Sequence, residues 1–220
     1  MIVTLDGPAG AGKSSTARAL AARLGWCHLD TGAMYRAVAL MALEAQVPLD
    51  DARQLASLAE TLAIEFQGDR VFVGGREVSA EIRTERVTQA TRPVADTPAV
   101  REAMKRMQRR LAEGLDVVTE GRDQGSVVFP HAELKVFMTA SPEERARRRH
   151  REEVSRGAAT SLETVLRAQT RRDEGDRTRP VGAMKPAEDA VILETDGLTA
   201  SEVVDRLVEL VAARRREQPA

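Results

Sequence analysis

The sequence predicts an α/β fold, a doubly wound parallel sheet of about five strands carrying a small antiparallel insert and an arginine-rich helical lid. Three observations predict it. Short apolar runs alternate with stretches of helical periodicity from Ile2 to the C-terminal helix, and a glycine-rich loop joins the first run to the first helix. Between Ile64 and Val78 the period drops to two and the alternation is interrupted.

Ile2 to Asp6 is the first strand, and Ala17, Leu20, Ala21 and Leu24 recur at helical spacing until Gly25 stops the helix. Trp26 to Leu29 reads as the second strand and about Thr31 to Gln46 as the next helix; Leu55, Leu58, Ala59 and Leu62 mark one face of another. Ile64 and Phe66, then Val71 and Val73, alternate about Gly68 and Asp69 with Gly74 and Gly75 behind them, the pattern of an antiparallel meander. Asp96 and Thr97 are placed to cap a helix starting at Pro98, with Val100, Met104, Met107 and Leu111 on one face and Gly114 at its end. Val117 to Thr119, Leu134 to Met138 and Val191 to Thr195 read as buried strands. Ser141, Pro142 and Glu144 form one capping box and Thr199 with Glu202 another, and a polar tail runs from Arg214 to Ala220. The 220 residues are thus expected to form a single domain: a core of about 1–62, 96–142 and 180–220, an insert of about 63–95 and a lid of about 143–179.

Composition narrows the function. A net charge of −1 gives no global field that would draw the surface to nucleic acid or membrane. Cys27 is the only cysteine, so an intrachain disulfide and a thiolate metal cage are both excluded. His28, His131 and His150 are far apart and read as packing or surface residues. No apolar run approaches the roughly 18 residues of a membrane span, and Met1 leads straight into a strand. The expectation is a cytoplasmic protein with no leader and no anchor. Lysine occurs only at positions 13, 105, 135 and 185, so the basic residues are nearly all arginine, whose planar fork matches phosphate oxygens in two-point geometry.

Gly7-Pro8-Ala9-Gly10-Ala11-Gly12-Lys13-Ser14 matches GxxxxGK[ST] between a strand and a helix, the context a P-loop requires. Its glycines let backbone N–H groups curl about an anion at the positive end of the helix dipole. With Ser15 following, these residues are the expected ATP-binding set. Lys13 is expected to reach the outer phosphates and Ser14 to ligate Mg2+, while Glu120, ending a strand, either orients the metal through water or is a solvated strand end. A P-loop alone does not separate a kinase from a GTPase or a motor. No NKxD guanine reader and no DxxG switch stand in suitable places, which favours a kinase.

Two further motifs follow strands, Asp30-Thr31-Gly32-Ala33-Met34-Tyr35-Arg36 and Gly121-Arg122-Asp123, and a third, Arg172 to Arg179, precedes the last strand. With Glu120 to Pro130 and the helix start Val100-Arg101-Glu102, they resemble the bacterial type of cytidylate kinase, a nucleoside monophosphate kinase, from Ile2 to about Val211. The resemblance implies transfer of the terminal phosphoryl group of ATP to CMP or dCMP. By position it implies Arg36, Arg122 and Arg179 as grips on the acceptor phosphate, Arg101 and Asp123 as cytosine readers, and Arg172 and Asp176 as sugar contacts, with Thr31 and Tyr35 lining the pocket. Lys13 joins Arg36, Arg122 and Arg179 as the expected catalytic group. In one place the sequence departs from the family, which has a serine near the base about nine residues before Arg101; the count lands on Arg92, or with a slip of one on Thr91.

The chemistry agrees with that reading. Cytosine presents an amino donor beside a ring acceptor and a carbonyl, so one carboxylate and one guanidinium can read it, whereas uracil reverses the polarity at two positions. An acceptor phosphate with a second pKa of about 6 is already ionised near neutral pH, so no histidine base or serine nucleophile is needed. What remains is positioning and charge neutralisation. Arg145, Arg147, Arg148, Arg149, Arg151 and Arg156 open the lid segment, or with Glu143, Glu144, Glu152 and Glu153 form a solvated, salt-bridged face. A kinase for UMP or a non-nucleotide alcohol is the near alternative. A nucleic-acid binder using Arg145 to Arg151 is the distant one, because that run carries no aromatic residue. A monomer without nucleic-acid or membrane partners is expected.

Overall fold

The computed structural model describes residues 1–155, 157 and 159–217; Arg156 of the arginine run and residues 218–220 of the polar tail lie outside the described residues. Contacts within the chain define two units, Met1–His28 with Leu115–Ala220, and Leu29–Gly114. Strand β1 (Ile2–Asp6) leads through the glycine-rich loop into α1 (Lys13–Leu24), and β2 spans Cys27–Asp30. The second strand begins one residue later than the apolar run suggests. Gly25 closes α1 in the left-handed region, and the Trp26 N–H is spent on the Ala21 carbonyl at 2.9 Å, so it cannot join a ladder.

In the second unit, α2 (Thr31–Glu44) is capped by Asp30, whose Oδ1 accepts the Ala33 N–H at 2.9 Å. It stops short of the predicted Gln46 because that residue sits at φ 55°. Helix α3 (Ala52–Thr61) follows, capped by Asp51, and then β3 (Ile64–Gln67), β4 (Arg70–Val73) and β5 (Arg76–Glu77) form the predicted meander in that order. Ile64 stands opposite Val73 and Phe66 opposite Val71. Helix α4 (Glu85–Asp96) has no counterpart in the sequence reading, since Pro93 lies inside it; Val87, Ala90 and Val94 bury one face. Helix α5 (Pro98–Ala112) begins at the predicted proline, yet neither predicted cap serves it. Asp96 is the last residue of α4, and the Thr97 hydroxyl donates backwards to the Pro93 carbonyl at 3.0 Å. Helix α2 packs on α4 and α3 on α5, enclosing Met34, Val38, Leu55, Ile82, Val100 and Met104.

The chain then returns to the first unit through β6 (Val117–Glu120), a π-helical turn at Gln124–Val128, β7 (Leu134–Thr139), α6 (Pro142–Ser155), α7 (Leu162–Thr178), β8 (Val191–Glu194) and α8 (Ala200–Glu217). The sheet order is β2-β6-β1-β7-β8. β1 is central and parallel to both neighbours, with Leu5 opposite Glu120 on one side and Val136 on the other, and the chain works outward from it in both directions. That is the doubly wound order the sequence predicts, and it gathers the loops after β1, β6 and β7 at one edge. Val3, Leu5, Leu20, Val118, Val136, Met138 and Leu207 form the core beneath that edge, each contributing about 1.5–3 kcal/mol on full burial.

The two predicted capping boxes differ. At α8 the box is closed: the Glu202 carboxylate accepts the Thr199 N–H at 2.8 Å and Thr199 Oγ1 accepts the Glu202 N–H at 3.3 Å. At α6 only half forms. Ser141 Oγ accepts the Glu144 N–H at 3.3 Å, but Asp196 takes the Ser141 N–H at 2.8 Å, and the Glu144 carboxylate turns to Arg148 instead. No helix among the described residues is long and apolar enough to cross a membrane.

Candidate active site

The glycine-rich loop sits at the carboxyl end of β1, where the first helix opens. Gly7 has φ +139°, and a Cβ built there would lie 2.0 Å from the Met138 carbonyl oxygen of β7, so no side chain can enter without moving a core strand. Lys13 is 5% exposed and donates from Nζ to the Pro8 carbonyl at 2.7 Å, arching over the loop. Burial, then the charge of Arg122, holds its amine well below the ordinary lysine range, with Glu120 opposing and Arg172 adding. Ser14 and Ser15 are exposed on the first turn of α1, and Ser15 Oγ donates to the Gly12 carbonyl at 2.9 Å.

Glu120 is 6% exposed, which removes the solvated strand-end reading. Asp6, the last residue of β1, is a site residue the sequence reading passed over. The two carboxylate oxygens of Asp6 accept the N–H groups of Gln124 at 2.8 Å and Gly125 at 2.7 Å, fixing the backbone after Asp123. Burial pushes the Asp6 carboxyl up to about 6, the two N–H bonds opposing, with Asp123 raising it further and Lys13 lowering it. Its one sequence signal is an acid closing an apolar strand immediately before Gly7. Asp123 itself is 4% exposed, and its carbonyl accepts the Val127 and Val128 N–H groups.

Three of the expected acceptor residues meet in this unit. Asp176 Oδ2 accepts from Arg122 Nε at 2.8 Å, and its Oδ1 accepts from Arg179 at 2.7 Å. Burial pushes the Asp176 carboxyl up, but the charge and hydrogen bond of Arg122, with Arg179 and Arg172, outweigh it and hold the group below its ordinary range. Arg172 lies exposed one turn earlier on α7. Lys13, Arg122, Arg172 and Arg179 therefore form one cationic cluster at the loop edge, with Asp176 and Glu120 as its counter-charges.

The second unit carries its own group. Thr31 is 3% exposed at the start of α2. Tyr35, one turn on, has the Arg101 guanidinium 5.7 Å from its ring centroid. Arg101 is 7% exposed and also donates to the Ala95 carbonyl at 3.3 Å. Arg36 donates to Thr88 Oγ1 at 2.7 Å and to the Ile82 carbonyl at 3.3 Å. Of the two candidates for the departure, Arg92 is exposed with Nε 3.6 Å from Asp96, while the Thr91 hydroxyl donates to the Val87 carbonyl at 2.7 Å.

The arginine run divides. Arg147 and Arg148 pair with Glu144, and Arg149 with Glu152 and Glu153, all at 3.2 Å or less, forming a charged face on α6. Arg145 does not belong with them. It is 4% exposed and ion-paired at 2.6 Å to Asp173 of α7, itself 2% exposed.

The family profile Cytidylate kinase matches residues 3–213. A cytidylate kinase from Rhodopirellula baltica is 49% identical over 96% of this chain and 92% of its own length. The chain belongs to the cytidylate kinase family. A second cytidylate kinase, from a Geobacillus species, is 48% identical over 96% of both chains. Among solved structures, a shikimate kinase from Bacteroides thetaiotaomicron superposes with a TM-score of 0.51 at 14% identity over 96% of this chain and 98% of that one, a likeness of fold alone. The cytidylate kinase match takes in Leu29 to Arg36, Val100 to Glu102, Glu120 to Pro130 and Arg172 to Arg179, the segments on which the sequence resemblance rested.

Proposed function

We propose that this chain is an ATP-dependent kinase of CMP and dCMP, passing the terminal phosphoryl group of ATP directly to the acceptor phosphate and releasing ADP and the diphosphate. The observation that carries this reading is the cluster of Lys13, Arg122, Arg172 and Arg179 at the edge of a P-loop in a cytidylate kinase family member. Bringing two polyanions into line requires fixed positive charge and little else from the protein.

The loop Gly7–Ser14 with Ser15 takes the donor phosphates, and Lys13 the outermost of them. Arg36, Arg122 and Arg179 serve the acceptor phosphate, Arg101 and Asp123 the cytosine, Arg172 and Asp176 the sugar, and Thr31 and Tyr35 the pocket wall. Asp176 contacts Arg122 and Arg179 through one lone pair on each oxygen, so each oxygen keeps capacity for a sugar hydroxyl. The exposed Ser14 hydroxyl and the buried Glu120 carboxylate are hard oxygen donors of the kind magnesium takes, and they are the residues that would hold the ion. When bound, the ion supplies charge neutralisation between the outer phosphates. Residues 63–95 are the insert of the monophosphate-binding lobe and 143–179 the lid, and the protein works as a cytoplasmic monomer.

Purified protein given ATP and CMP should form ADP and CDP one for one, resolved by ion-exchange chromatography. ADP with inorganic phosphate and no CDP would contradict the assignment.

A further inference from the structure

We infer that Arg145 and Asp173 are a positioning pair that holds the donor-loop backbone at Ala9, one on each of the two peptide groups that flank its Cα. Asp173 Oδ1 accepts the Ala9 N–H at 3.2 Å, and Arg145 donates to the Ala9 carbonyl at 2.8 Å while its ion pair with Asp173 Oδ2 closes at 2.6 Å. Arg145 Nε reaches the Ala140 carbonyl at 3.1 Å, so one guanidinium ties the loops that follow β1 and β7 together. Gln169, 7% exposed on α7, donates to the Arg145 carbonyl at 3.3 Å.

The adjacent glycine shows how closely these helices grip the loop. A Cβ on Gly10, at φ +79°, would lie 2.6 Å from Gln169 Nε2 and 3.1 Å from both the Cβ and the carbonyl oxygen of Arg145. Residues 9 and 10 are therefore clasped by α6 and α7 on the side of the loop that these contacts occupy. A buried ion pair is a poor stability device, since its Coulomb gain is offset by desolvation. Here each partner also bonds the backbone of Ala9, Asp173 in the peptide group before its Cα and Arg145 in the one after, which fixes both peptide planes instead. The phosphate-binding N–H groups that follow inherit that orientation, so the loop need not reorganise when the donor arrives.

Asp173 also stands three residues before Asp176 on α7. One helix thus holds the donor loop through Asp173 and the arginines Arg122 and Arg179 through Asp176, so the pair sets the position of the loop relative to those cations.

The inference rests on the reading that Gly7–Ser14 binds the donor, and its test separates the two. ATP and CMP are titrated individually by calorimetry into wild type, Asp173→Asn and the apolar double variant Arg145→Met with Asp173→Leu, which removes both charges without stranding either. Thermal melts and steady-state rates accompany each protein. ATP affinity is expected to fall about tenfold or more in both variants, with the KM for ATP raised to match, kcat within about threefold and CMP affinity within about twofold. The double variant is expected to melt close to wild type. Equal loss of ATP and CMP affinity, or lower melting with unchanged ATP affinity, would overturn the proposal. Failure of the wild-type chain itself to bind ATP would overturn the donor-loop reading and the inference with it.

Discussion

Asp176→Ala is expected to lower kcat/KM about a hundredfold or more for any acceptor the enzyme accepts and to destabilise the fold by about 3 kcal/mol. Its carboxylate is the shared counter-ion of Arg122 and Arg179, with side-chain exposures of 10%, 17% and 8% for the three residues. Removing it leaves two guanidinium groups facing each other in a partly desolvated site, and both then leave the geometry in which they meet a phosphate. Asp176→Asn keeps the shape but not the charge, so its loss should be intermediate. The pH dependence carries a sign that distinguishes the charge from the packing. The folded pKa of Asp176 lies below its ordinary 3.8, so its stabilisation is present above that value and lost as pH falls through the folded pKa. Acid titration of stability should be shallower in the alanine variant than in wild type. A variant that melts lower but keeps kcat/KM within twofold would remove Asp176 from the site.

Gly7→Ala should cost at least about a hundredfold in ATP affinity, or prevent folding outright. Two causes act together there, the positive φ of +139° and the 2.0 Å approach to the Met138 carbonyl, whose residue is fully buried in the core. Gly25→Ala separates them. Gly25 also has a positive φ, +71°, but nothing lies within 4 Å of its added Cβ, so only the conformational cost of about 1–2 kcal/mol remains. Calorimetric titration of ATP into both variants, with thermal melts, reads the difference. Wild-type ATP affinity in Gly7→Ala would show that the loop tolerates a side chain and that its conformation is other than described.

Which features the sequence reveals follows from how local their causes are. The donor loop is legible because its requirements, glycines, a lysine and a hydroxyl between strand and helix, fall within eight residues. The Thr199 and Glu202 box is legible for the same reason, and so is the meander, whose register follows from a two-residue period. The half-box at Ser141 is not, because Asp196, 55 residues away, competes for its N–H. Helix α4 is hidden by Pro93, whose missing donor and steric cost are overridden by the burial of Val87, Ala90 and Val94. At the site, the residue types were legible and their partners were not. Arg145 reads as one more member of a surface run until Asp173, 28 residues on, is folded against it, and Asp6 reads as the end of a strand until Gln124 and Gly125 arrive.

The central claim, a kinase that selects cytosine, is tested most directly by the rate of ADP release from ATP with CMP, dCMP, UMP, AMP and GMP compared at equal concentration. A carboxylate and a guanidinium that read the amino, ring-nitrogen and carbonyl edge of cytosine predict CMP and dCMP as the fastest acceptors, UMP slower, and the purine monophosphates near background. Equal rates for CMP and for AMP, GMP or UMP would contradict it.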